Sequence, residues 1–334
     1  MKRIARRRAG ASSKRHKAGS GGVRRGGRRS VGMSGRKDRM RRKRPKRAAL
    51  LANHAMQRDA PDYVKGYREG LYDGGERLLE AALPADRIVP DISVAEAIAA
   101  GIPHVLTRSL RLMGPDELCA EMASALAAGS PCSVVRLGDG ELLTLAQDTL
   151  KPADEIARES PFLSYAGVDA PDGEARDTLA AAVRKATVVG VPLSRRPNYQ
   201  PLLFEALRRN GVSPESLRLT SSTINYALYE SGQLMRLAAG KRIAIVGNSA
   251  EALARALRAA GLDVVHTVSP VDGIADYASA VERAAAVPFD LALVSAGVAA
   301  VPICVWLAER TGKVAFDFGH MADRLGGTPA PANA

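Results

Sequence analysis

Seven short apolar runs, at residues 132–137, 187–191, 217–220, 242–246, 263–268, 291–295 and 314–318, alternate with amphipathic stretches of helical period. No other feature of the chain restricts its fold as much. Runs of this kind carry apolar side chains on both faces of the pleat, so a sheet made from them must be covered on both sides. The intervening helices provide that cover. The expectation is an α/β fold: a Rossmann-like, mostly parallel sheet with helices on both faces. Pro115, with Asp116 and Glu117 behind it, marks a helix start, and Gly129 marks its end. The main domain is therefore expected to span residues 114–326.

Parallel sheets bind ligands beyond the carboxyl ends of their strands, so the residues just after each apolar run are the candidates for function. After the first come Arg136, Gly138, Asp139 and Glu141. An Asp and a Glu one glycine apart can hold a divalent cation, Mn2+ or Mg2+, whose shell is completed by phosphates and water. An ordinary strand-to-helix turn with Asp139 as the helix cap fits the same spacing. Arg136 adds a forked cation suited to a diphosphate. The second run leads into a proline-framed loop with Ser194 and Arg195, a second candidate for phosphate binding. Past the third, Asn225 and Tyr226 are candidates for sugar or acceptor contacts, though the hydroxyls before them equally suit helix capping.

The fourth run ends in Gly247-Asn248-Ser249 and enters a helix, which is a backbone anion site on general grounds. A dinucleotide fingerprint needs glycines at positions 249 and 252, where Ser249 and Ala252 stand, and this counts against an NAD enzyme. Ser295 and Gly297 follow the sixth run, small enough to admit a ligand and equally what a tight turn requires. The last presents Asp317 and His320, and a histidine beside a carboxylate can act as general base toward a hydroxyl or serve only structure.

Charge is distributed unevenly. Residues 1–47 hold 21 Lys and Arg against the single Asp38, so a tail of net +20 leaves −7 for the rest of a chain whose formal net charge is +13. With almost nothing apolar to bury, residues 1–55 are expected to be a disordered polybasic tail. Such a tail binds nucleic acid or another anionic polymer by counterion release, or attaches to anionic lipid. Residues 56–113 are expected to be helical and linker-like, with Tyr63, Tyr67, Leu71, Leu78 and Leu79 on one side of a helix broken by Gly66, Gly70, Gly74 and Gly75. That repeat suits close packing, onto the same chain or in a homo-oligomer. Residues 327–334 are expected to form a flexible end. Cys119, Cys132 and Cys304 lack paired spacing and read as buried free thiols of a reducing compartment. No apolar run reaches the roughly 20 residues that cross a bilayer. The expected location is the cytoplasm, with peripheral attachment at the inner membrane face open through the tail.

Arg136-Leu137-Gly138-Asp139-Gly140-Glu141 resembles the Arg-Phe-Gly-Asp-Gly-Glu signature of the GT-D fold glycosyltransferases, and Ala315-Phe316-Asp317-Phe318-Gly319-His320 is similar to that family's closing Ala-x-Asp-x-Gly-His segment. The likeness runs from about Tyr63 to Leu325 and looks closest to a bacterial branch with a Tyr/Gly-rich helix before the domain. It implies a GT-D fold and a metal-dependent glycosyltransferase in which Asp139 and Glu141 hold the ion. The donor implied is a nucleotide sugar, foremost a UDP-sugar, and the acceptor a glycan or glycoconjugate. Ser194-Arg195 resembles the family's Ser-Arg segment, and Gly247-Asn248-Ser249 its Gly-rich stretch with a serine. Met321-Ala322-Asp323 departs from the family's Ile/Leu-Asp after the histidine. The alternative is a non-catalytic nucleotide-binding protein tethered by its tail to a polyanion.

Overall fold

The computed structural model describes residues 61–327. The expectations for the polybasic tail and its nucleic-acid or lipid partners, and nearly all of the C-terminal segment, lie outside these residues. The chain divides into two units at Val105/Leu106.

In the first unit, the helices Pro61–Leu71 and Arg77–Ala82 are joined by a π-helical turn, Tyr72–Glu76, at the Gly74-Gly75 pair. A third helix, Val94–Val105, follows. None of these elements buries a side chain. Tyr63 and Tyr67 stack on one another with ring centroids 6.4 Å apart, as their spacing of four predicts. The close packing expected of the glycine repeat is found only at Gly75, which backs onto Val94; Gly66, Gly70 and Gly74 face open space among the described residues.

The second unit holds one sheet of eight strands: β1 (Leu112–Met113), β2 (Cys132–Arg136), β3 (Val188–Val191), β4 (Leu219–Ser221), β5 (Arg242–Gly247), β6 (Asp263–Val268), β7 (Leu291–Ser295) and β8 (Val314–Asp317). Their order is β1-β4-β3-β2-β8-β7-β5-β6, and each recorded pairing is parallel. The seven apolar runs are β2 to β8. β1 has only two residues, too few for a periodic signal, and is held by pairing with β4.

The period of two along each strand sorts side chains into two cores. Val135, Val189, Val246 and Val294 face one cluster with Leu142, Leu179, Leu203 and Ile303 from the covering helices. Val134, Ile243, Ile245, Leu293 and Phe316 face the other with Leu118, Met122, Leu228 and Leu253. The doubly apolar runs are thus accounted for by a sheet covered on both faces. Cys132 and Cys304 are buried free thiols as expected, burial pushing Cys132 up to about 11, whereas Cys119 is only half-buried. No described helix is long and apolar enough to cross a membrane.

β2 and β8 are neighbours, but the chain leaves them in opposite directions. After β2 it enters the helix Asp139–Ala146, packed in the first cluster, and after β8 the helix Met321–Gly326, packed in the second. A crevice opens at the carboxyl ends of adjacent strands whose connections part in this way.

Candidate active site

Arg136 lies at the floor of that crevice. Its Nε donates to the main-chain oxygen of Asp317 (2.9 Å), one Nη to the Asp317 carboxylate (2.9 Å) and the other to the Ser222 carbonyl (3.0 Å). The side chains are 16% and 5% exposed, so this ion pair is largely removed from water. One guanidinium therefore ties the ends of β2, β8 and the segment after β4 together, with three of its five donors committed to protein acceptors. Arg136 and Asp317, singled out for a diphosphate and for chemistry, are brought into contact with each other. Gly319 must be bare beside them, because a Cβ there would fall 1.8 Å from an Arg136 Nη.

Asp139 and Glu141 open the helix after β2. The helix cap is Gly138, and the group that satisfies it is Glu141, whose carboxylate accepts the Gly138 N–H at 2.7 Å in the manner of a capping box. The turn reading, in which Asp139 was the cap, is corrected accordingly. One Asp139 oxygen accepts the Gly140 N–H (3.0 Å), and the other receives only a long contact of 3.4 Å from the Tyr199 hydroxyl. Burial pushes the Glu141 carboxyl up to about 7; the Gly138 N–H pulls it down, the Asp317 charge raises it and Arg136 lowers it. The surroundings thus disfavour one more negative charge and would favour it with a cation present.

A consequence is measurable without any ligand. The folded chain binds the Glu141 proton more tightly than the unfolded chain, whose glutamate titrates near 4.5. The stability this contributes is complete below about pH 4.5 and is lost as pH rises through 7. In chelator-treated protein the loss by pH 8 is at most roughly 3 kcal/mol, less for the solvent that the half-buried side chain still meets. Glu141→Gln, which keeps an oxygen for Gly138, should flatten this part of the stability–pH curve in urea titrations. Equal pH slopes in the variant and the parent would refute the assignment.

The other candidates divide into two groups. The Ser295 hydroxyl donates to the Gly319 carbonyl (2.7 Å), fastening β7 to the segment after β8. Asn225 is fully buried and donates to the Phe318 carbonyl (2.9 Å), while its Oδ1 meets no partner among the described residues. His320 is exposed, its Nδ1 3.1 Å from an Asp323 oxygen; the other Asp323 oxygen accepts from the Ser249 hydroxyl. These contacts join the ends of β5, β7 and β8 to the crevice. Arg195 and Ser194 are exposed and bond within their own loop, to Gln200 (2.6 Å) and the Arg196 N–H (3.4 Å). Asn248 bridges both main-chain groups of Val271, and Tyr226 packs half-buried against the second core.

Two glycines read as room for a ligand are required by the backbone itself. A Cβ on Gly247, at φ +135°, would stand 1.9 Å from the Ser295 carbonyl oxygen, and one on Gly297 would stand 2.4 Å from the Ala166 oxygen.

Tyr199 and Asp323 are not among the candidates that the sequence singles out. Tyr199 stands in the loop after β3, the place the strand-end rule marks, but nothing in its neighbours says that it turns toward Asp139. Asp323 orients His320 through Nδ1, which leaves Nε2 as the outward-facing nitrogen.

A family model described as a GT-D fold-like domain matches residues 113–325. Among solved structures, one described as the conserved domain of unknown function 1792 with a distinct glycosyltransferase fold is 16% identical, with 64% of this chain and 79% of that chain covered and a TM-score of 0.42. Another, described as a new glycosyltransferase of the same domain from Streptococcus sanguinis, is 15% identical, covering 64% of this chain and 83% of that one, with a TM-score of 0.44. No curated protein matches the chain.

Proposed function

The chain belongs to the family of GT-D fold-like domains, and from that membership we propose that it is a glycosyltransferase that uses Mn2+ or Mg2+ to move a sugar from a nucleotide sugar, foremost a UDP-sugar, to a glycan or glycoconjugate acceptor. The observation that carries this reading is the Asp139-Gly140-Glu141 turn at the carboxyl end of β2, in the crevice beside β8.

The donor set suits a divalent cation. No group of three or more metal-binding side chains is present among the described residues; an ion taken by the Asp139 and Glu141 carboxylates would need the donor's phosphates and water to complete its shell. Asp139, Glu141 and Asp317 bring three carboxylates to one end of the sheet against the single guanidinium of Arg136. The negative excess and the raised Glu141 carboxyl both favour a dipositive ion. When bound, that ion would offset the charge developing on the departing diphosphate.

The chain's own residues complete the arrangement. Asp139 and Glu141 would hold the ion, and the Gly138 N–H fixes the Glu141 carboxylate. The Arg136–Asp317 pair keeps β2 and β8 in register beneath them. Asp323 aims His320 so that Nε2 can take the proton of an acceptor hydroxyl. Arg195 lies on the same loop as Tyr199, whose hydroxyl is 3.4 Å from an Asp139 oxygen, so that loop is the one that would offer a guanidinium to the donor phosphates.

The full-length protein, incubated with a panel of UDP-sugars, should release UDP in the presence of Mn2+. Chelation with EDTA should stop the release and added Mn2+ restore it. Saturable UDP binding with no turnover on any donor, with or without acceptor glycans, would reject the enzymatic reading in favour of a binding protein.

A further inference from the structure

On the face covered by the first core, the helices Gly173–Lys185 and Gln200–Arg209 flank a groove of about 330 Å³. Arg176, Ala180 and Arg184 recur at every fourth position along one wall, so they share one helix face, and the small Ala180 leaves space between two guanidinium groups. Arg209 and Asn210 form the opposite wall, and Thr149 contributes a hydroxyl. Three arginines thus surround one concavity whose only acidic lining residue is Asp177.

Their partners leave positive charge over. Arg176 donates to Asp177 (2.9 Å) and to the Gln147 carbonyl (3.1 Å). Arg209 is only loosely paired, 3.7 Å from Glu205. Arg184 donates to the Asn210 carbonyl (2.8 Å), and no carboxylate lies within ion-pairing distance of it among the described residues. Elsewhere on this unit Arg208, Arg218, Arg242 and Arg283 each meet a carboxylate within 2.9 Å, whereas Arg195 and Arg258 bond only neutral acceptors; what sets the groove apart is that three guanidinium groups share one concavity with Asp177 as the one acidic side chain lining it. Outside its first 47 residues the chain carries net negative charge, so an under-compensated cluster of guanidinium groups is not a general property of the surface. Confining three such groups is unfavourable unless an anion joins them, and guanidinium forks match phosphate oxygens.

The groove is not the proposed donor site. The helix that begins at Asp139 runs back along the sheet and ends at Ala146, beside Gln147, whose carbonyl Arg176 holds. Eight helical residues place the two regions on the order of 12 Å apart, at the two ends of the helix that follows β2.

We propose that this groove binds a diphosphate-bearing anion, independently of the Asp139–Glu141 crevice. Arg184 and Arg209 grip its oxygens from opposite walls, and Arg176 neutralises it from below.

The test is a calorimetric titration of the full-length protein with inorganic pyrophosphate in metal-free buffer. Parent protein is compared with the Arg184→Gln/Arg209→Gln double variant and with an Arg236→Gln/Arg255→Gln control of equal charge loss, all four positions being exposed. The basic residues 1–47 contribute alike to all three proteins, so the comparison isolates the groove. A drop in pyrophosphate affinity of about tenfold or more in the groove variant, with the control within twofold of the parent, is the expected result. Equal affinity in the groove and control variants, or no saturable binding by the parent, would overturn the proposal. Neither outcome bears on UDP-sugar turnover, because no donor or metal is present.

Discussion

Asp139→Ala should lower Mn2+-dependent UDP release by roughly 10²–10³-fold or more, the scale lost when a group that stabilises transition-state charge is removed. The same substitution should leave the denaturation midpoint almost unchanged. Asp139 is half-buried and receives one hydrogen bond from the adjacent Gly140 N–H and a long contact from Tyr199, so folding depends little on it. Glu141→Gln retains an oxygen for the Gly138 N–H but loses the charge, and it should show a comparable loss of rate. The informative measurement is the pair of readouts on each variant, rate and urea midpoint. A rate within threefold of the parent in both variants would remove the carboxylate pair from the mechanism, whatever sugar is transferred.

Asp317→Ala should give the opposite pattern, with a loss of about 3–5 kcal/mol in folding stability. Its carboxylate is the one counter-charge hydrogen-bonded to the Arg136 guanidinium, and the pair is largely shielded from water. Removing it leaves a buried cation held only by the carbonyls of residue 317 and Ser222. Replacing both partners, as Arg136→Met with Asp317→Ala, should cost less than Asp317→Ala alone, because no uncompensated charge remains. A urea-denaturation cycle over the parent, the two single variants and the double variant gives the coupling. If Asp317→Ala stayed within 1 kcal/mol of the parent while activity fell, Asp317 would have to act in chemistry and not as the anchor of Arg136.

What could be read from the sequence follows from the range of the interaction involved. The strands β2 to β8 were legible because each is a local run of apolar residues, and the turn at Asp139 because its acidic residues are neighbours in the chain. The Arg136–Asp317 clamp spans 181 positions and the Tyr199–Asp139 contact spans 60, so no local pattern could announce either. For the same reason the bare Gly247 resembled a ligand seat, whereas its nearest neighbour is a main-chain oxygen of β7.

The order of residues by itself determined that a sheet with two apolar faces would form, that helices would cover it, and that acidic, basic and hydroxyl side chains would follow its strands. These outcomes rest on hydrophobic period and turn chemistry, which act over a few residues. Only the tertiary structure decided which of those side chains are tied to one another and which remain available. It made Arg136 a clamp, Glu141 both a cap and a carboxylate held up to about 7, and His320 the outward-facing partner of Asp323. Burial and through-space charge set such roles, and both depend on where the distant parts of the chain come to rest.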